Sequence, residues 1–201
     1  MTARPDGLPR LPRLLLLTDR SQLRLGRGLV RTVAECAEAG LTHVVLRELD
    51  LAEEHRAALA QALAATGVTV VAARRPLPTA TGLHLSATGA PPAGERPRLL
   101  GRSCHDPAEV AAAADGGLDY ATLGPWAATP SKPGYPARLD PTAYAGLPLP
   151  TFALGGLTPD NAHEALAAGA HGVAVMGAVM RAADPAGVVA DLLAVTGRHA
   201  R

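Results

Sequence analysis

Aromatic side chains are nearly missing from this chain: Phe, Tyr and Trp make up 2% of 201 residues. The core therefore has to be assembled from Ala, Val and Leu. Cysteine is scarce as well. Cys36 and Cys104 form no metal-spacing pattern, which predicts two free thiols in a cytoplasmic protein. No apolar run reaches the roughly 20 residues of a membrane span, and the first residues (Arg4, Pro5, Asp6, Arg10, Arg13) lack the order of a signal peptide. No membrane partner is expected. A net charge of +1 with 18% charged residues argues against a nucleic-acid partner bound through bulk charge. The length suits a single domain over 1–201, with 1–12 as an N-terminal extension and 198–201 as a tail.

What is present is a regular alternation. Short continuous apolar runs fall at Leu14–Thr18, His43–Arg47, Val68–Ala72, Gly82–Leu85, Leu99–Ser103, Tyr120–Leu123, Thr151–Leu154 and Gly172–Val175. Helical stretches read over Gly26–Ala39 and Ala52–Ala65, ended by Gly40 and Gly67. Continuous apolar strands between helices indicate a parallel sheet covered on its outer face. Asp106-Pro107, Asp140-Pro141, Thr158-Pro159 and Asp184-Pro185 each set a capping oxygen before a proline suited to the first helical position. Glu109, three residues after Asp106, adds a variant capping box. Pro76–Thr81 and Ala87–Pro97 leave little room for helices. The expected fold is α/β: a single-domain (β/α)8 TIM barrel, compact, with short or irregular layers after strands 3 and 4. An open doubly wound sheet would want its ligand loop at the first strand-to-helix turn. That turn, Thr18-Asp19-Arg20-Ser21-Gln22, has no GxGxxG.

Two glycine turns carry the clearest functional signal. Thr151–Leu154 runs into Gly155-Gly156, and Gly172–Val175 runs into Met176-Gly177. Glycine after a strand bares backbone N–H groups, and loops 7 and 8 of such barrels hold phosphate this way. Gly155, Gly156, Met176 and Gly177 are therefore candidate phosphate-binding residues; the alternative is packing or turn glycines. Thr129, Ser131 and Lys132 place two hydroxyls and an ammonium on one loop, suited to anionic oxygens or simply a solvated turn. Arg47 stands where a barrel strand points into the mouth, either for ligand or for an ion pair with Glu48 or Asp19.

In order along the chain, Leu17-Thr18-Asp19-Arg20, Leu46-Arg47-Glu48, Gly82-Leu83-His84-Leu85, Gly101-Arg102-Ser103 with His105, Gly124-Pro125, Thr129-Pro130-Ser131-Lys132-Pro133-Gly134 and the glycine loops resemble the thiamine-phosphate synthase and thiazole tautomerase superfamily. The resemblance spans roughly residues 14 to 196. It implies a small phosphorylated heterocycle as partner, and Arg47, Ser103, Thr129, Ser131 and Lys132 as substrate-binding residues. The synthase branch joins a pyrimidine diphosphate to a thiazole phosphate and holds Mg²⁺ with acids after strands 3 and 4. Here Ala72-Ala73 or Ala73-Arg74 stand for its Asn-Asp pair, and Gly89 lies near its second acid. Val45 and Leu49 replace the Gln and Lys of its Gln-x-Arg-x-Lys pattern.

The resemblance then implies a thiazole tautomerase, an isomerase of thiamine biosynthesis needing no metal or cofactor. Its proton shift would aromatise a carboxythiazole phosphate. The tautomerase branch carries a histidine where this chain has Pro125, so His105 is the remaining candidate for the proton shuttle. The other reading of His105 is a local partner of the Asp106 cap. His84 reads as a buried, hydrogen-bonded core residue. A synthase with a metal site rebuilt from Asp19, Glu48 or Asp50, which would bring Mg²⁺, and a thiazole-phosphate-binding protein without turnover stay open, as does a homodimer.

Overall fold

The computed structural model describes residues 11–24, 26–128 and 138–198. Eight parallel strands close into a barrel in the order of the chain. They are β1 (Leu14–Leu17), β2 (His43–Leu46), β3 (Thr69–Ala73), β4 (Gly82–Leu85), β5 (Leu99–Cys104), β6 (Tyr120–Leu123), β7 (Thr151–Leu154) and β8 (Gly172–Val175). The helices are α1 (Leu29–Glu38), α2 (Glu53–Ala64), α3 (Pro107–Asp115), α4 (Ala162–Ala167), α5 (Gly177–Met180) and α6 (Pro185–Arg198). Strand ends match the apolar runs to within about a residue, because a strand covered on both faces has no polar break before its loop. The links from β3 to β4 and from β4 to β5 contain no helix among the described residues, as their proline and glycine content led one to expect. No helix of the described residues is long and apolar enough to cross a membrane.

Side chains alternate between two cores. Leu14, Leu16, Val44, Leu46, Val70 and Ala72 face outward onto the helices. Leu15, Val45, Val71, Leu99, Tyr120, Phe152 and Ala174 fill the barrel. Although aromatics are few, two of them meet edge to face inside it, Tyr120 and Phe152, with ring centroids 5.7 Å apart. Cys36 and Cys104 are free and buried in the outer core, and burial pushes their thiols up to about 12 and about 11.

Three of the four cap-and-proline pairs open a helical turn as read. The Asp106 carboxylate accepts from the Glu109 N–H at 2.8 Å, Asp140 from Thr142 N–H at 2.9 Å, and Asp184 from Gly187 N–H at 2.9 Å. Asp140 heads only a short 3-10 turn, Pro141–Tyr144. Thr158-Pro159 differs. Regular helix α4 begins at Ala162, after Asn161. The Asn161 side chain accepts from the Thr158 N–H and donates to the Gly156 carbonyl, so the intervening turn serves the glycine loop rather than a helix start. Helix α1 likewise begins at Leu29, later than the Gly26 expected, because Gly26 takes a left-handed φ of 65°.

Candidate active site at the barrel mouth

A cavity of about 1050 Å³ opens at the C-terminal ends of the strands. This is the face on which barrels of this kind carry their chemistry. One wall is made by the ends of β7, β8 and β1. Gly155 and Gly156 follow β7 with φ of 102° and 63°. A side chain on Gly156 would put its Cβ 2.6 Å from the Ala128 carbonyl oxygen, so only glycine fits. Met176 and Gly177 follow β8 at the start of α5. The Arg181 guanidinium lies over Gly177, where an added Cβ would meet it at 2.3–2.5 Å. Arg181 also donates to the Gln22 side-chain oxygen. The Gln22 amide in turn donates to Asp19 at 2.6 Å. The two glycine turns thus share one cavity with a guanidinium beside them, an arrangement that can hold a phosphate ester by amides and charge together.

Arg47 follows β2. Its N–H donates to the Thr18 hydroxyl at 3.0 Å, and its guanidinium rests against the Met176 sulfur. It is not the partner of Glu48, whose carboxylate pairs instead with Arg20 at 2.8 Å. Burial would raise the Asp19 carboxyl. The hydrogen bonds from Ser21 and Gln22, with the charge of Arg47, outweigh that and hold it below the usual range.

The opposite wall depends on a buried chain of hydrogen bonds. Gly101 of β5 sits in register between His84 of β4 and Tyr120 of β6. A Cβ at Gly101 would lie 2.1 Å from Tyr120 Cζ. Its absence lets the Tyr120 ring cross β5 and reach His84 Nδ1 at 2.9 Å, while His84 Nε2 meets Ser103 Oγ at 3.0 Å. Burial, and then the charge of Arg47, lower His84 to about 4, so the ring is neutral near pH 7. Burial also raises Tyr120, which keeps its proton. A buried phenol proton needs an acceptor, and Nδ1 is the one placed for it. Nε2 therefore carries the ring hydrogen and donates to Ser103. Ser103, half-buried at the cavity floor, is left with its own hydrogen to offer a ligand.

His105 also borders the cavity but is an exposed side chain turned toward α3. Its N–H donates to the Glu109 carboxylate at 2.7 Å, and its ring Nδ1 lies 3.3 Å from the same oxygen. It thus joins the cap of α3 while standing at the rim. Thr129, Ser131 and Lys132 lie outside the described residues. Arg181, Gln22 and Tyr120 were not among the candidate site residues read from the sequence. For Arg181 a signal existed: it falls four residues after Gly177, one helical turn on and over the same face.

Metal-binding residues are poorly provided. Among the described residues no three His, Cys, Asp or Glu side chains converge on a point. Asp19 is the one carboxylate among the described cavity residues, and its oxygens already serve Ser21 and Gln22. Four arginines share the cavity with it: Arg47, Arg74, Arg138 and Arg181. Mg²⁺ wants carboxylates and substrate phosphates, so the described residues do not fit that ion.

A family model described as Thiamine monophosphate synthase matches residues 14–179. The chain belongs to this family. A Geobacter sulfurreducens protein provisionally named a thiamine-phosphate synthase is 38% identical over 199 residues, covering 90% of this chain and 93% of its own length. The thiamine-phosphate synthase of Synechocystis sp. is 39% identical over 127 residues, 59% of this chain but only 37% of that longer protein. Among solved structures, a thiamine phosphate pyrophosphorylase from Pyrococcus furiosus superposes with a TM-score of 0.77 at 23% identity. It covers 93% of this chain and 96% of its own. Family membership puts the chain in thiamine biosynthesis, and the last comparison speaks to the barrel fold.

Proposed function

We propose that this chain is a metal-independent enzyme of thiazole-phosphate chemistry, a tautomerase that shifts a proton rather than displacing a diphosphate. The observation that carries this reading is the charge of the mouth: four arginines face one carboxylate that is already hydrogen-bonded. Such a mouth attracts a ligand with two anionic ends. In the proposed geometry the phosphate rests on the main chain at Gly155, Gly156, Met176 and Gly177, beside Arg181. Arg47 would meet the carboxylate, and Thr129, Ser131 and Lys132 are proposed to share that role. Ser103 donates to the heterocycle from below. His105 takes the ring hydrogen next to the carboxylate. The C–H electron pair enters the ring, and the exocyclic carbon accepts a proton in return. The product is aromatic, so the step runs downhill, and one acid–base group supplies about 10²–10⁴-fold.

The test is incubation with the dihydrothiazole carboxylate phosphate while aromatic absorbance is followed. Acceleration over buffer that falls at least tenfold in His105→Ala supports the reading. Intact ligand binding without acceleration overturns it and leaves a binding protein. A second reading, thiamine-phosphate synthase, is favoured by the names of the relatives at 38% and 39% identity. Mg²⁺-dependent release of pyrophosphate from a pyrimidine diphosphate and thiazole phosphate would establish it.

A further inference from the structure

Arg74 occupies a backbone conformation that side chains avoid. It has φ of 64°, the one non-glycine residue with positive φ among those described. The Arg75 N–H donates to the Ala73 carbonyl at 2.8 Å across it, closing a γ-turn at the end of β3. Outliers of this kind persist only where their surroundings over-determine them, and they gather at ligand sites. Here the turn is braced by Arg56, a guanidinium buried to 1% exposure in α2. It donates to the Ala73 carbonyl at 2.6 Å and to the Leu46 carbonyl at 3.2 Å. Those two carbonyls belong to the residues just before Arg74 and Arg47. The Arg74 N–H is fixed separately, donating to the His84 carbonyl at 2.8 Å. One buried arginine thus holds two strand ends from which two cavity arginines depart.

We infer that Arg74, beside Arg47, is the core of a second anion site, one that binds a carboxylate or second phosphate of the ligand directly, without a divalent cation. Ser86 and Thr88, on the loop after β4, and Ser103 line the same side of the cavity and add hydroxyl donors. Arg138 adds positive charge to the cavity. With Asp19 committed to Ser21 and Gln22, a dication would meet repulsion here and an anionic oxygen would meet donors. The site would take the far end of a small molecule whose phosphate sits on the glycine loops, so it uses the proposed phosphate position as its anchor. It does not depend on which reaction follows. Arg56 is a positioning residue for it.

The probes are glycerol 1-phosphate, 3-phosphoglycerate, which adds a carboxylate at similar length, and inorganic pyrophosphate. Each is titrated calorimetrically in EDTA and again with Mg²⁺. The expected result is that 3-phosphoglycerate and pyrophosphate bind in EDTA at least tenfold more tightly than glycerol 1-phosphate, with no gain from Mg²⁺. That ratio is the usual scale of a charge-assisted contact, about 10–100-fold. The decisive variant is Arg74→Gly, because glycine suits the turn. It should keep or raise the melting temperature, leave glycerol 1-phosphate unchanged, and erase the preference for the second anion. Arg74→Lys should restore part of it. A preference for carboxylate over pyrophosphate, or the reverse, tells which group the site serves. The inference is overturned if Arg74→Gly retains the preference, if the preference appears only with Mg²⁺, or if wild-type protein shows none. Loss of tautomerisation with this preference intact would instead sink the proposed reaction alone.

Discussion

The two sides of the barrel mouth are made of different material. Along β7 and β8 the wall is main chain, with Gly155, Gly156 and Gly177 leaving amides uncovered and Arg181 laid over the last of them. Along β3 to β5 the wall is side chains: Arg74 on its γ-turn and Ser103 wired through His84 to Tyr120. A main-chain site is rigid and tolerant of what surrounds it, and it grips any phosphate ester. A side-chain site can be re-specified residue by residue. In the proposed binding mode the glycine side would serve for affinity and the arginine side for choosing among phosphorylated molecules.

The sharpest way to break this contrast is Gly156→Val. Its φ of 63° and the Ala128 carbonyl 2.6 Å from an added Cβ leave no accommodation without moving the loop. Affinity for thiazole phosphate should fall about 100-fold or more, as the amides and the Arg181 charge lose their common target. Gly177→Ala should cost less, about tenfold, because its Cβ meets the mobile end of Arg181 rather than backbone. Ser103→Ala should weaken binding no more than Gly177→Ala does. Calorimetric titration of the three variants ranks them. A ranking with Ser103 first would invert the division between grip and choice.

That division also explains what the sequence made legible. Strands buried on both faces announce themselves as unbroken runs such as Leu14–Leu17 and Gly172–Val175, and glycine pairs announce a bare main chain. Asp106 and Asp184 could be read as caps because the cap and its target lie three residues apart. The side-chain wall has no local spelling. Tyr120 and His84 are 36 positions apart and meet only because β4, β5 and β6 align Gly101 between them. Nothing near Arg74 in the chain signals a positive φ, since two of the groups bonded to its turn, the Arg56 guanidinium and the His84 carbonyl, come from α2 and β4. Thr158-Pro159 looked like a helix start because the role of Asn161 as a clamp on Gly156 depends on a bend already made.

A smaller effect tests how dry the wired side is. Burial lowers both His43 and His84 to about 4 in the folded protein, whereas in an unfolded chain they take protons near 6.5. Between those values the unfolded state binds more protons, so stability is complete above about pH 6.5 and drains as pH falls toward 4. The limiting slope is about 1.4 kcal/mol per pH unit for each ring, on the order of several kcal/mol in all across the window. Thermal unfolding at pH 7, 6 and 5 reads it, and His84→Gln should remove about half of the slope. A flat profile would mean that water reaches both rings and that the floor of the mouth is wet.

The smallest effect is the most specific. Tyr120→Phe keeps the ring that packs on Phe152 and deletes only the hydroxyl donating to His84 Nδ1. An unpaired buried acceptor costs about 1–3 kcal/mol, so the melting temperature should drop by several degrees, at about 2–4 °C per kcal/mol for a chain of this size. Because Ser103 keeps its hydroxyl in either tautomer, ligand affinity should change less than it does in Ser103→Ala. Nitrogen chemical shifts of His84 supply the direct reading: protonation at Nε2 in the wild-type protein, and a mixture of both tautomers once the phenol is gone. Protonation at Nδ1 in the wild-type protein would reverse every donor in the chain. Ser103 would then face the ligand as an acceptor, and this side of the mouth would repel the anionic oxygens that Arg74 is proposed to hold.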